Sequence, residues 1–103
     1  MDDDNQIEVP PSFLALFTSP SGHRLLQPMA TVRARYELCE DLAQMLVDQA
    51  GTAAFKSGAP ESEILARIES GLTGSDASMQ PREAAWIVTR LAELLGWEPP
   101  APG

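Results

Sequence analysis

The single histidine, His23, is the side chain of this sequence best suited to act as a general base near neutral pH. It lies beside Arg24 in the segment SPSGHRLL, and Ser12, Ser19 and Ser21 precede it in the chain. A hydrolytic site would need the ring, a serine nucleophile and an orienting carboxylate to meet in space. No pattern in the sequence aligns these groups, so a solvated loop histidine is the favoured interpretation. A small hydrolase or nucleotide-dependent enzyme using the His23 and Arg24 loop is the alternative.

Arg33 and Arg35 follow His23 and Arg24 closely in the sequence. If these four side chains gather, they form a small positive patch on an otherwise acidic protein and would attract an anionic partner. Solvated arginines are the simpler interpretation. We therefore treat the four residues as candidate binding residues and not as catalytic ones.

The sequence gives little support for a metal-binding site or a nucleotide-binding site. Glu37, Glu40 and Asp41 are helical neighbours that could bind a divalent cation, although such spacing more often indicates a solvated acidic face. Cys39 is the only cysteine and is expected to be a buried, inert thiol. The only lysine, Lys56, has no glycine before it at the spacing of a phosphate-binding loop. We expect no metal site and no cofactor.

The charge distribution bears on possible partners. The formal net charge is −8, and the first nine residues hold four acids, Asp2, Asp3, Asp4 and Glu8. Residues 10–97 carry ten acidic and seven basic side chains. Binding to nucleic acid requires Lys and Arg to neutralise phosphates, so this balance argues against it.

Three features of the sequence indicate the cellular compartment of the protein. No segment approaches the ~20 apolar residues of a membrane helix. The N-terminus is acidic, whereas a secretory signal begins with basic residues. A lone cysteine fits a reducing environment. We expect a cytoplasmic protein that does not bind membranes.

Proline and glycine divide the chain into elements. Residues 1–8 and 98–103 are predicted to be disordered tails, and residues 9–97 a single domain. Apolar spacing predicts an all-α, compact bundle of about four helices near 11–17, 29–55, 60–72 and 81–95. Pro28 and Pro60 are expected in the first turns of their helices, and Gly51 is a possible early end of the second. Gly96 is expected to cap the fourth helix and to fold Trp97 back onto it.

The longest predicted helix has a broad apolar face. Its stripe is Val32, Tyr36, Cys39, Ala43, Leu46 and Ala50, widened by Leu42, Met45 and Ala53. Its polar side includes Glu37, Glu40, Asp41, Gln44 and Asp48.

The opening segment VPPSFLALF places Phe13, Leu16 and Phe17 on one helical face. We favour a core role, in which the three dock on the second and fourth helices with Trp86 and Trp97 as neighbours. The alternative is a partner-binding peptide, for which Phe13 and Phe17 would be binding residues.

The segments IEVPPSFLALF, RARYELCEDLAQML and AAWIVTRLAELLGW resemble a family of small, uncharacterised helical proteins from proteobacteria. The resemblance runs from Ile7 to Trp97 and is weakest in the loop after Leu72. Some members carry the label "ATPase with chaperone activity". Since this chain has no phosphate loop, the resemblance implies at most an accessory role beside such a machine, and it brings no catalytic residues with it.

These observations favour a non-enzymatic protein–protein interaction module, either an adaptor or accessory factor or a self-associating protein. An exposed apolar groove would favour this module, and a pocket gathering His23 with a serine and a carboxylate would favour the enzyme.

Overall fold

The computed structural model describes residues 8–74 and 79–100, and it confirms the all-α prediction. Helix α1 spans Pro11–Leu14 and continues as a 3-10 turn over Ala15–Phe17. Helices α2, α3 and α4 span Met29–Ser57, Glu61–Leu72 and Pro81–Leu95. The described residues contain no strand, and their β-type pairing is one isolated bridge between Thr18 and Leu25. Most of the predicted tails lies outside the described residues, and residues 8 and 98–100 belong to no helix.

The helices α2, α3 and α4 begin and end within two residues of the predicted positions. Helix α2 passes through Gly51 and ends at Ser57, because the ~1 kcal/mol cost of a helical glycine is small beside the burial of a helix face. Pro28 and Pro60 precede their helices instead of lying in the first turn. The Pro60 carbonyl accepts the amides of Glu63 and Ile64 at 3.0 and 3.1 Å, so it caps the N-terminus of α3.

The chain divides into two compact units, residues 1–38 and 39–103. The core of the first unit is aromatic. Phe13 is fully buried and Phe17 is 4% exposed, and their ring centroids lie 5.5 Å apart. The Phe13 ring also meets the Tyr36 ring edge-on at 5.6 Å, so the opening segment docks on α2 as predicted. Its pairing with Trp86 and Trp97 stays a prediction.

The turn after the opening segment is held by backbone hydrogen bonds. The Leu26 amide donates to the Phe17 carbonyl at 2.7 Å, and the Ser19 amide donates to the Arg24 carbonyl at 2.8 Å. The Thr18 hydroxyl donates to the Leu14 carbonyl at 2.6 Å. These bonds fix the path of the chain between the 3-10 turn and α2.

The second unit has an aliphatic core built from α2, α3 and α4. Its buried members are Ala50, Ile64, Leu65, Val88, Leu91 and Ala92. The backbones of α3 and α4 approach each other more extensively than either approaches α2 within this unit.

Both ends of α4 are capped. At the N-terminus, Gln80 and Glu83 form a capping box, in which the backbone N–H of Gln80 donates to the Glu83 carboxylate at 3.1 Å. At the C-terminus, Gly96 adopts a φ of 74°, and the Trp97 amide donates to the Ala92 carbonyl at 2.8 Å. This arrangement is a Schellman motif, and Trp97 packs against the core of the second unit. The predicted glycine cap is confirmed.

The predicted apolar face of α2 was too wide. Val32, Cys39, Ala43 and Ala50 are buried, but Met45 is 72% exposed. A helix packed on one side buries only a limited arc of its surface, and Met45 lies outside that arc.

Candidate functional site

His23 and Arg24 lie in the exposed turn between the 3-10 helix and α2. The Ser19 hydroxyl accepts the Arg24 amide at 3.3 Å and shares a hydrogen bond with the Ser21 hydroxyl at 3.1 Å. Ser19 therefore helps to shape the turn. A hollow beside it is lined by Pro11, Leu14, Ala15, Thr18, Ser19, Pro20 and Gly22, and this lining includes neither His23 nor a carboxylate.

The other two basic candidates, Arg33 and Arg35, are half-buried on α2. Residues two apart on a helix point in different directions, so these two side chains do not present one face. The Arg33 Nε atom is buried and has no hydrogen-bonding partner among the described residues. These positions give no support to a single solvent-facing patch of four basic residues.

Phe13 and Phe17 occupy the core of the first unit. The fold already removes both rings from water, so they need no partner protein to cover them. The structure thus places these two candidates inside the fold.

The acidic trio on α2 is divided between two environments. Glu37 and Asp41 are exposed, whereas the Glu40 side chain is 18% exposed and pairs with Arg90 of α4. The Arg90 Nε lies 2.9 Å from Glu40 Oε1, and its second terminal nitrogen lies 3.1 Å from Oε2. The expectation that Glu40 belongs to a solvated face was wrong, because α4 brings a guanidinium to it. The described residues hold no cluster of three His, Cys, Asp or Glu side chains able to bind a metal ion.

Hydrogen bonds from Arg90 lower the pKa of Glu40, and they outweigh the opposing effect of burial. The Gln44 amide also donates to Glu40 at 2.9 Å and lowers its pKa further. Arg90 donates in addition to Glu93 at 3.1 Å. The pair joins α2 to α4 within the second unit.

We expect Glu40→Gln to lower the free energy of unfolding by about 1.5–3 kcal/mol at pH 7, as for a hydrogen bond to a charged group. The pKa of Glu40 is lower in the folded state, so its contribution is complete above the unfolded pKa of about 4.3 and is lost as the pH falls through the folded value. Urea unfolding at several pH values should therefore show the difference from wild type shrinking below about pH 4.

Glu63→Gln is the matched control, because Glu63 pairs with Arg67 while both side chains are exposed. Its effect should stay within about 0.5 kcal/mol. An equal loss for the two variants, or a loss for Glu40→Gln that does not depend on pH, would contradict the role assigned to this ion pair.

A groove in the second unit lies between α2 and α3. It encloses about 370 Å³ and is lined by Leu46, Gln49 and Ala53 of α2 and by Ile64, Arg67, Ile68, Gly71 and Leu72 of α3. Its walls are mainly apolar. Arg67 is the charged residue of the lining, and its guanidinium donates a hydrogen bond to the Glu63 carboxylate. The volume lies at the lower end of the range of small-molecule pockets.

Gly71 and Met45 affect the space and the apolar surface at this groove. Gly71 has no side chain, and a Cβ atom placed there would meet nothing within 4 Å. Met45 lies one helical turn before Gln49, so the exposed thioether extends the apolar surface along α2. Methionine at such a position adapts to different partner shapes. The groove therefore has open space beside its apolar walls.

Comparison of the chain with protein-family models, curated proteins and solved structures finds no match. Within the described ranges, no helix is both long enough and apolar enough to cross a bilayer.

The groove residues were not identified from the sequence as a site. Ile64, Ile68 and Leu72 recur at helical spacing on one face of α3, and they line one wall of the groove. The signal that was missed is Gly71, a glycine beside this apolar stripe, which removes the side chain that would otherwise fill the space. The ion pair of Glu40 with Arg90 had no local signal, because the two residues lie 50 positions apart.

Proposed function

We propose that the protein is a non-enzymatic protein–protein interaction module and that the groove between α2 and α3 is its docking surface. The observation that carries this proposal is the apolar groove itself, with the exposed Met45 one helical turn from Gln49 of its lining. Exposed apolar surface is costly in water, and it is commonly kept where a partner covers it.

The alternative enzyme has weaker support. It relies on His23 and Arg24, and the hollow nearest to that turn contains Ser19 but no carboxylate. The groove, in contrast, offers an apolar surface with a single paired cation, which suits binding more than acid–base chemistry. The interaction module therefore accounts for more of the observed surface.

The cellular setting is part of the same proposal. A buried lone cysteine is compatible with a reducing compartment, and we place the protein in the cytoplasm. The family that the sequence resembles suggests an adaptor or accessory factor that acts beside a larger machine.

Site-specific photo-crosslinking tests the docking surface. A photoreactive phenylalanine analogue replaces Gly71, which lines the groove, and the same analogue at position 62 is the control, since Ser62 is exposed on α3 and does not line the groove. After irradiation in a lysate of the source cells, we expect discrete crosslinked proteins for position 71 that position 62 lacks. Identical patterns, or no product at either position, would contradict the proposal.

A further inference from the structure

We infer that the occupant of the groove is an amphipathic, positively charged helix of another protein. This inference rests on the proposed function and adds the partner's conformation and charge. It draws on the length of the groove, the nature of its walls and the charges on the two helices that form it.

The dimensions of the groove fit a helix. Leu46 to Ala53 on α2 covers about 10 Å, and Ile64 to Leu72 on α3 covers about 12 Å, at 1.5 Å per residue. A helix that presents apolar residues at i, i+3, i+4 and i+7 spans about the same length. Three or four apolar side chains of such a helix would therefore lie along the groove.

The walls favour a helix over an extended peptide. Both walls are helices, whose backbone amides and carbonyls are already hydrogen-bonded along most of their length. An extended peptide would bring unpaired backbone groups to an apolar surface and gain no ladder of hydrogen bonds. A helix satisfies its own backbone and presents only side chains.

Charge selects a cationic partner. With Glu40 neutralised by Arg90, residues 39–72 carry five acidic side chains and two basic ones. The acidic ones are Asp41, Asp48, Glu61, Glu63 and Glu69. The basic ones are Lys56 and Arg67, and Arg67 already pairs with Glu63. Lysine or arginine flanking the apolar stripe of a partner helix would be attracted to the net negative charge of the two helices that form the groove.

A second copy of this chain fits less well. The formal net charge of −8 applies to each copy, and like charges oppose close approach of two such surfaces. Self-association is therefore an outcome that the test must be able to reveal.

The test uses three fluorescein-labelled, alanine-rich peptides of 18 residues. All three share leucines at i, i+3, i+4 and i+7, and their polar positions are all lysine, all glutamine or all glutamate. Fluorescence anisotropy with the full chain should give a dissociation constant about tenfold lower for the lysine peptide than for the glutamine peptide in 50 mM salt. The glutamate peptide should bind most weakly. The difference should fall below about threefold in 1 M salt, where the Debye length is ~3 Å.

Gly71→Trp supplies the groove control. Tryptophan has a higher helix propensity than glycine, and the space at position 71 is open. The variant should therefore fold, which a thermal melt verifies, while its indole occupies the groove. We expect all peptides to bind at least tenfold more weakly to Gly71→Trp. Ser62→Trp, which adds the same side chain to α3 outside the groove lining, should leave binding unchanged.

The outcomes separate the inference from the proposed function. Equal binding of the lysine and glutamine peptides, weakened by Gly71→Trp, would overturn the cationic partner and leave the docking surface in place. If the lysine peptide bound Gly71→Trp as tightly as it binds the wild type, the inference would be overturned. The peptide would then be held by the overall negative charge of the protein and not by the groove. No binding of any peptide would overturn the helix as occupant. If sedimentation velocity showed a dimer of the wild type and a monomer of Gly71→Trp, the occupant of the groove would be a second copy of this chain and not a partner helix.

Asp41→Asn combined with Asp48→Asn tests the charge argument directly. Both residues are exposed on α2. The double variant should therefore lower the ratio of the two dissociation constants, glutamine peptide over lysine peptide, from about ten to about five or less. The dissociation constant of the glutamine peptide itself should not change. Glu8→Gln with Glu98→Gln removes the same charge from positions on neither helix of the groove. Equal effects of the two double variants would show that total charge, not the groove, selects the partner.

Discussion

Phe13→Ala is expected to lower the free energy of unfolding by about 3–5 kcal/mol, the range found when a buried aromatic side chain is truncated. The Phe13 side chain is fully buried and contacts two other rings, Phe17 and Tyr36, with centroids 5.5 and 5.6 Å away. Alanine would remove the apolar surface of the ring and leave a cavity that the neighbouring rings fill only in part. Urea unfolding followed by far-ultraviolet circular dichroism measures the loss.

Phe55→Ala is the matched control for this substitution. Phe55 is 90% exposed on α2, so the same change should stay within about 0.5 kcal/mol. A loss as large as that of Phe13→Ala could approach the whole stability of a small domain, so Phe13→Leu provides a milder variant that should still fold. Unchanged unfolding midpoints for both Phe13 variants would contradict the core assignment and restore the opening segment as a binding peptide.

The opening segment also shows why the helices could be predicted from the sequence. Two prolines fix its start, and Phe13 and Phe17 recur at the spacing of one helical face. The same local rules predicted α3, where Ile64, Leu65 and Ile68 recur in phase. Capping chemistry is equally local, so Gly96 and Trp97 were predicted correctly at the end of α4.

Surface features that depend on how helices meet could not be predicted in this way. Met45 fits the apolar stripe of α2 by spacing, yet it is exposed because the neighbouring helices cover a narrower arc. Glu40 looks like a solvated carboxylate until α4 brings Arg90 to it. The groove lies where α2 and α3 meet, and helical periodicity carries no information about how closely two helices approach each other.

The functional candidates named from the sequence were charged or aromatic, and the structure shifts attention to a different surface. His23 and Arg24 lie exposed in a turn, while Phe13 and Phe17 are buried. The groove is formed instead by Leu46 and other ordinary aliphatic residues, and by the absence of a side chain at Gly71. Such a surface has no distinctive residue type, so a search for chemical motifs passes over it.

Leu91→Ala is expected to lower the free energy of unfolding by about 2–5 kcal/mol. Leu91 is fully buried in the aliphatic core of the second unit, among residues of all three of its helices. Alanine has the higher helix propensity, so α4 itself would gain a few tenths of a kcal/mol. The loss must therefore come from the apolar contacts removed and the cavity created, and a tightly packed core relaxes only partly around such a cavity.

The control for Leu91→Ala is Leu26→Ala, the same change at a side chain that is 55% exposed. It should cost less than about 1 kcal/mol, because little apolar surface leaves the interior. The dependence of unfolding on urea concentration should keep its slope in both variants if only the native core is changed. A loss below about 1 kcal/mol for Leu91→Ala would mean that α2, α3 and α4 are loosely packed around this position. The groove would then be one of several gaps in a mobile core and not a preformed docking surface, so this measurement also bears on whether a partner helix meets a ready surface.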